Sequence, residues 1–100
     1  VRRAAKVDGN QADVVDALRK AGIAVRSMAA VGQGFPDLLC AFRDVLVLLE
    51  VKDGSLPPSE RKLTKQEAEF VAAWPKTYVV TSGDEAVAVV VQAARPGERT

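Results

Sequence analysis

Histidine is absent from this 100-residue chain, and cysteine occurs once, as Cys40. Without histidine there is no Ser-His-Asp or Cys-His nucleophile and no His-ligated zinc. One cysteine allows no disulfide within the chain, and its apolar neighbours mark it as a buried structural thiol. No apolar run approaches the ~20 residues that a membrane-spanning helix needs. No Walker-type lysine loop occurs, and Gly32-Gln33-Gly34 lacks the remaining spacing of a dinucleotide fingerprint. The start, Val1-Arg2-Arg3-Ala4-Ala5-Lys6, is basic but has no apolar signal-peptide core. Any chemistry here must run on carboxylates, lysines, amides and hydroxyls.

What is present reads as one compact domain over residues 1–100. Apolar residues make up 48% and charged residues 27%, a globular rather than disordered balance. Net charge is only +1, so a nucleic-acid partner would have to be held by local clusters. A cytoplasmic protein is expected, without a membrane partner. Val1 in place of an initiator methionine suggests trimming or an imposed boundary.

Asp8-Gly9-Asn10-Gln11 reads as a helix start, with Asp8 capping and Gln11 reaching back. Val14, Val15 and Leu18, with Ala12 and Ala21, form its apolar stripe, and Gly22 ends it. Residues 23–29 are a short strand and Val31 to Gly34 a loop. Pro36 then forces Phe35 out of helical geometry. Asp37 to Phe42 and Val45 to Lys52 read as a hairpin turning at Arg43-Asp44. Its second strand is apolar on both faces, so it is expected to be central and covered on each side. After the loop from Asp53 to Pro58, Thr64 caps a helix from Lys65 to Trp74, with Ala68, Val71, Ala72 and Trp74 toward the core. Pro75 stops it. Thr77 to Thr81 is a strand. Ser82-Gly83-Asp84-Glu85 reads as a capping box for a helix to about Ala94, and Arg95 to Thr100 as a frayed tail. The expected order is α-β-β-β-α-β-α, an α/β fold with a mixed sheet flanked by helices.

Chemistry concentrates at two strand ends. Residues two apart in a strand point the same way, so Glu50 and Lys52 share a face while Val51 points opposite. If the neighbouring strand brings Asp37 alongside, two carboxylates and the Val51 carbonyl converge. Such an all-oxygen set suits Mg²⁺ or Mn²⁺. Lys52 beside it would orient a water, stabilise charge building on a phosphate, or act as a base.

Pro36-Asp37…Glu50-Val51-Lys52 matches the PD-(D/E)xK nuclease motif. With Val31-Gly32-Gln33-Gly34-Phe35 before it and Leu63-Thr64-Lys65-Gln66 and Phe70 after it, the chain resembles a VRR-NUC domain. It looks most like the small stand-alone phage and prophage members, with the resemblance spanning roughly residues 8 to 92. The resemblance implies a restriction-endonuclease-like core and Mg²⁺-dependent phosphodiester hydrolysis, with Mn²⁺ as a substitute. It implies a homodimer cutting branched DNA, such as a Holliday junction or flap, in a bacterial host. Asp37 and Glu50 would be metal ligands and Lys52 the catalytic lysine, with Gln66 touching the phosphate or its water. Many relatives carry an acid on the first helix, where this chain has Asn10-Gln11. That departure keeps a non-cutting nucleic-acid-binding accessory as the alternative, beside a nuclease for linear ends or RNA.

Basic residues gather at Arg2, Arg3 and Lys6, at Arg19, Lys20 and Arg26, and at Arg61, Lys62 and Lys65. The third group lies between the Lys52 strand and Gln66 and is the expected DNA backbone contact. The loop from Asp53 to Ser59 offers either a wedge at a branch or a plain surface loop. The apolar excess from Ala86 to Val91 offers either a dimer interface or packing on the sheet.

Overall fold

The computed structural model describes residues 9–96. Helix α1 (Gln11–Lys20) leads into strands β1 (Ala24–Ser27), β2 (Leu38–Phe42) and β3 (Val45–Val51). A 3₁₀ turn (Pro58–Glu60), helix α2 (Lys65–Ala73), strand β4 (Thr77–Val80) and helix α3 (Gly83–Ala93) follow. The element order is the one the sequence predicts. The sheet runs β1-β2-β3-β4, antiparallel between the first three strands and parallel between β3 and β4. A parallel neighbour needs a crossover, and α2 supplies it.

The β2–β3 hairpin turns on Arg43 and Asp44, both at positive φ (51° and 66°). Two left-handed residues match the right-handed twist of the strands. The Arg43 guanidinium lies 5.1 Å from the Phe42 ring centroid, which offsets part of the strain of a non-glycine there.

Side-chain alternation then divides the sheet. Leu38, Cys40, Val47, Leu49, Val51 and Val80 point to one face and pack with Val14 and Leu18 of α1 and Ala86 and Val90 of α3. Burial alone raises the Cys40 thiol to about 11, so it is an inert core group, as its setting predicted. The expectation that β3 is covered on both sides fails. Leu46, on the opposite face, is 62% exposed, and only the Glu50–Lys52 end of that face is covered, by α2.

Local details differ from expectation too. Helix α1 is capped by Asn10, whose side chain makes no cap hydrogen bond, while Gln11 is the first helical residue and is buried. The proposed Gln11 capping role is therefore wrong, and Asp8 lies outside the described residues. Ala12 and Ala21 are exposed. Helix α2 has no fully buried residue: Ala68 and Ala72 face solvent and Trp74 is 54% exposed. Its inward side is half-buried Glu67, Phe70 and Val71. Before α3, the Ser82 hydroxyl accepts from Glu85 N, but Glu85 Oε1 turns to Thr81 N (2.6 Å) instead of closing the box.

The apolar excess of α3 has an internal explanation. Ala86 and Val90 are fully buried, and Gly83 lies so close to Ala17 that a Cβ would sit 2.6 Å from it. The helix packs on the sheet and on α1 at once, so those two positions are not an available interface. Arg2, Arg3 and Lys6, and the tail beyond residue 96, lie outside the described residues. Among the described residues no helix is long and apolar enough to cross a membrane.

Candidate active site

The β2–β3 register places the two acids. Leu38 pairs with Leu49, so one step outward sets Asp37 opposite Glu50. Leu48 and Lys52 donate their amides to Lys76 and Val80 on the β4 side, so the amides of Leu49 and Val51 point toward β2. The Asp37–Glu50 pair therefore falls at a non-hydrogen-bonded site, where facing Cα atoms are about 4.5 Å apart. Both residues are buried, at 6% and 3% exposure.

Pro36 shapes what lies beside them. The next rung would join Val51 to residue 36, but proline has no amide proton to give the Val51 carbonyl. The Val51 amide, for its part, donates to Asp37 Oδ2 at 2.7 Å. Asp37 thus closes the ladder with a carboxylate and is fixed in place by it.

Lys52 lies on the same face as Glu50. Its Nζ stands 3.4 Å from Glu50 Oε2 and 3.0 Å from Glu67 Oε1. Burial opposes the ammonium, but the hydrogen bonds and charges of Glu67 and Glu50 outweigh it and hold the Lys52 pKa above the ordinary lysine value. Of the roles left open for Lys52, this arrangement favours the charged ones over a base. Glu50 is shifted upward as well, which for an acid favours the neutral form. Burial, then the charges of Asp37 and Glu67, raise its pKa to about 9 against the pull of Lys52. Two facing buried carboxylates are relieved by a proton or by a cation.

Glu67 is a site residue that the motif spacing does not mark, although Thr64-x-x-Glu67 is a capping-box signature. Its Oε1 accepts from Thr64 N at 2.8 Å and from Lys52 Nζ at 3.0 Å, and Thr64 Oγ1 accepts from Glu67 N. Burial would raise its pKa, but the Thr64 amide and Lys52 lower it below the usual value, so Glu67 stays charged. One carboxylate therefore starts α2 and holds Lys52.

Gln66 is exposed, and among the described residues its side chain makes no hydrogen bond in that cluster. Its backbone abuts the glycine-rich loop instead. Gly34 has φ +81°, and a Cβ there would stand 2.6 Å from Gln66 Cβ and 2.9 Å from its carbonyl carbon. Gly34→Ala is accordingly expected to push α2 off the loop and cost roughly 1–3 kcal/mol. A urea unfolding midpoint equal to wild type would refute that close approach.

Of the expected backbone contacts, Lys62 and Lys65 are exposed, whereas Arg61 is half-buried. Arg61 Nε donates to Leu56 O at 3.0 Å and so fastens the loop after β3. Asp53 is itself tied into that loop by Ser55, which makes a plain surface loop its simpler description.

The start of α1 packs against the ends of β3 and β4. Asn10 Nδ2 donates to Lys52 O (3.2 Å) and Thr81 O (2.9 Å), bridging the ends of β3 and β4. The oxygens Asn10 Oδ1 and Gln11 Oε1 are buried and without a hydrogen-bond partner. Orphaned buried acceptors are costly and call for a donor, a water or a cation.

No family model, no curated protein and no solved structure matches this chain. The case for chemistry is made by the side chains. Among the described residues no three His, Cys, Asp or Glu come together to hold a metal. A cation here would have Asp37 and Glu50, and would draw its remaining oxygens from the Val51 carbonyl, an α1 amide or water. That donor set fits Mg²⁺ or Mn²⁺.

Proposed function

We propose that this chain is a divalent-cation-dependent nuclease hydrolysing phosphodiester bonds, with branched DNA as substrate and a homodimer as the working form. One observation carries the proposal: buried Asp37 faces buried Glu50 across the hairpin, with Lys52 on the same face. A structural role alone gives no reason to bury two acids opposite each other.

Asp37 and Glu50 would hold the cation with the Val51 carbonyl. When bound, the cation supplies Lewis acidity and neutralises charge on the phosphodiester. Asp37 is oriented in advance by the Val51 amide. Glu50 must release its proton to become a ligand, and Lys52 nearby favours that release. The Lys52 ammonium, steadied by Glu67, stands where it can stabilise charge developing on a phosphate oxygen. Lys62 and Lys65 would hold the DNA backbone beside the site without reading bases.

The test is a panel of four-way junctions, flaps, linear duplexes, single strands and RNA, incubated with Mg²⁺ or Mn²⁺. Cleavage of a branched substrate is expected only with the cation, and Asp37→Asn should reduce it by at least about 10³-fold. Cutting only of linear ends or RNA would overturn the substrate class. Absence of cutting on every substrate would overturn the enzyme, and calorimetry with Mn²⁺ would then show whether the acids bind a cation at all.

A further inference from the structure

Three of the chain's five aromatic rings meet on one side of α2, outside the acidic site. Phe70 and Trp74 are one helical turn apart and stack with centroids 4.8 Å apart and planes 6° from parallel. Phe35, from the glycine-rich loop, abuts Phe70 edge-on at 5.1 Å. Trp74 ends this stack. One face of its indole lies on Phe70, yet the residue is 54% exposed, so the other face is open to solvent. A large flat ring held rigid from behind and bare in front loses little entropy when a second flat ring covers it.

We propose that Trp74 is a stacking platform for an unpaired nucleobase, which carries a single strand along α2 toward the acidic site. Three features select that occupant. The parallel Phe70–Trp74 geometry is the one a base would continue, and every base has a π-face to offer. Lys62, in the loop before α2, and Lys65, its first residue, stand exposed with no ion pair among the described residues, and would follow a phosphate backbone. Gln66, Phe70 and Trp74 fall at i, i+4 and i+8, one stripe along the helix. Glu67, beside Gln66, touches Lys52. The rise from Glu67 to Trp74 is about 10 Å, a short reach for a strand. Glu69 also lies on α2, one turn from Lys65 and able to offset its charge, so Lys62 is the stronger of the two contacts.

The platform rests on the nuclease proposal only for where the strand leads, and base stacking can be tested without cleavage. Trp74 is the only tryptophan, so its fluorescence reports the contact directly. The full chain carrying Asp37→Asn, in EDTA, is titrated with a twelve-nucleotide oligothymidylate, its RNA counterpart and a blunt hairpin duplex. Saturable quenching by single strands is expected, with little from the duplex, and equal quenching by RNA supports a platform indifferent to the sugar. Measured by anisotropy of a labelled strand, Trp74→Ala should weaken binding by roughly 5- to 150-fold, the span of 1–3 kcal/mol per stacked base. Trp74→Phe should keep most of the affinity, which separates stacking from misfolding. No quenching, equal quenching by duplex, or unchanged affinity in Trp74→Ala overturns the proposal. So does quenching that follows protein concentration without DNA, which would make the patch a contact between copies. An enzyme that cleaves while Trp74 stays silent removes only the platform. Stacking without cleavage on any substrate removes only the nuclease.

Discussion

Glu50→Gln is expected to stabilise the metal-free protein at neutral and alkaline pH while abolishing cleavage. The carboxyl is 3% exposed, and burial with the charges of Asp37 and Glu67 raises its pKa to about 9. Below that pH the folded protein keeps a proton that the unfolded chain has already released. The stability linked to this proton is therefore complete below about 4.5 and is lost as pH rises toward about 9. The loss approaches about 1.4 kcal/mol per pH unit inside that window. Between pH 6 and pH 8 the wild-type melting temperature in EDTA should fall by on the order of 10 °C. Glutamine has the shape of the neutral acid and no proton to lose, so the variant should hold its melting temperature. Parallel curves for the two proteins would show that Glu50 is ionised at neutral pH in the metal-free site.

The same substitution separates metal binding from folding. A cation binds the ionised carboxylates, so its stabilisation of wild type should grow with pH as the proton becomes easier to displace. Glu50→Gln should show no such gain with Mg²⁺ or Mn²⁺. A variant that is more stable yet inactive fits a site where function, rather than folding, keeps the charge. Loss of both stability and activity would instead make Glu50 a structural partner of Lys52.

Much of this was legible in the residues. The hairpin, the crossover helix and the convergence of Asp37 with Glu50 follow from alternation and from a two-residue turn, all of which are local properties. What alternation could not give is coverage. Leu46 and Leu48 look like core residues, but α2 lies over only one end of their face, and Leu46 is left 62% exposed. Spacing alone places Trp74 inward, whereas the inward side of α2 follows Glu67, because Lys52 draws it down. Gln66 and Glu67 are neighbours on a helix and point about 100° apart, so one step in position decides which of them reaches the site. The amides at Asn10 and Gln11 differ again. Their missing charge is visible in the sequence, but the bridge from Asn10 to Lys52 and Thr81 joins residues 42 and 71 positions away.

Glu67 is the position where cap and chemistry can be separated by two substitutions. Glutamine keeps an oxygen to accept from Thr64 N but lacks the charge that steadies Lys52, whereas alanine loses both. Glu67→Ala should lower stability by about 1 kcal/mol, the ordinary worth of a helix cap. Both variants should slow cleavage by roughly 10- to 100-fold, the scale of losing a partner that orients a catalytic group. The loss should fall on kcat, since Glu67 steadies a charge rather than binding DNA. Both variants remove the Glu67 charge, and alanine also the hydrogen bond, that raise the Lys52 pKa. The alkaline limb of the cleavage profile should then move to lower pH in both variants, a change that a capping defect alone would not produce. Wild-type cleavage by Glu67→Gln, with Glu67→Ala merely unstable, would reduce Glu67 to a cap and leave Glu50 as the partner that holds Lys52 in place.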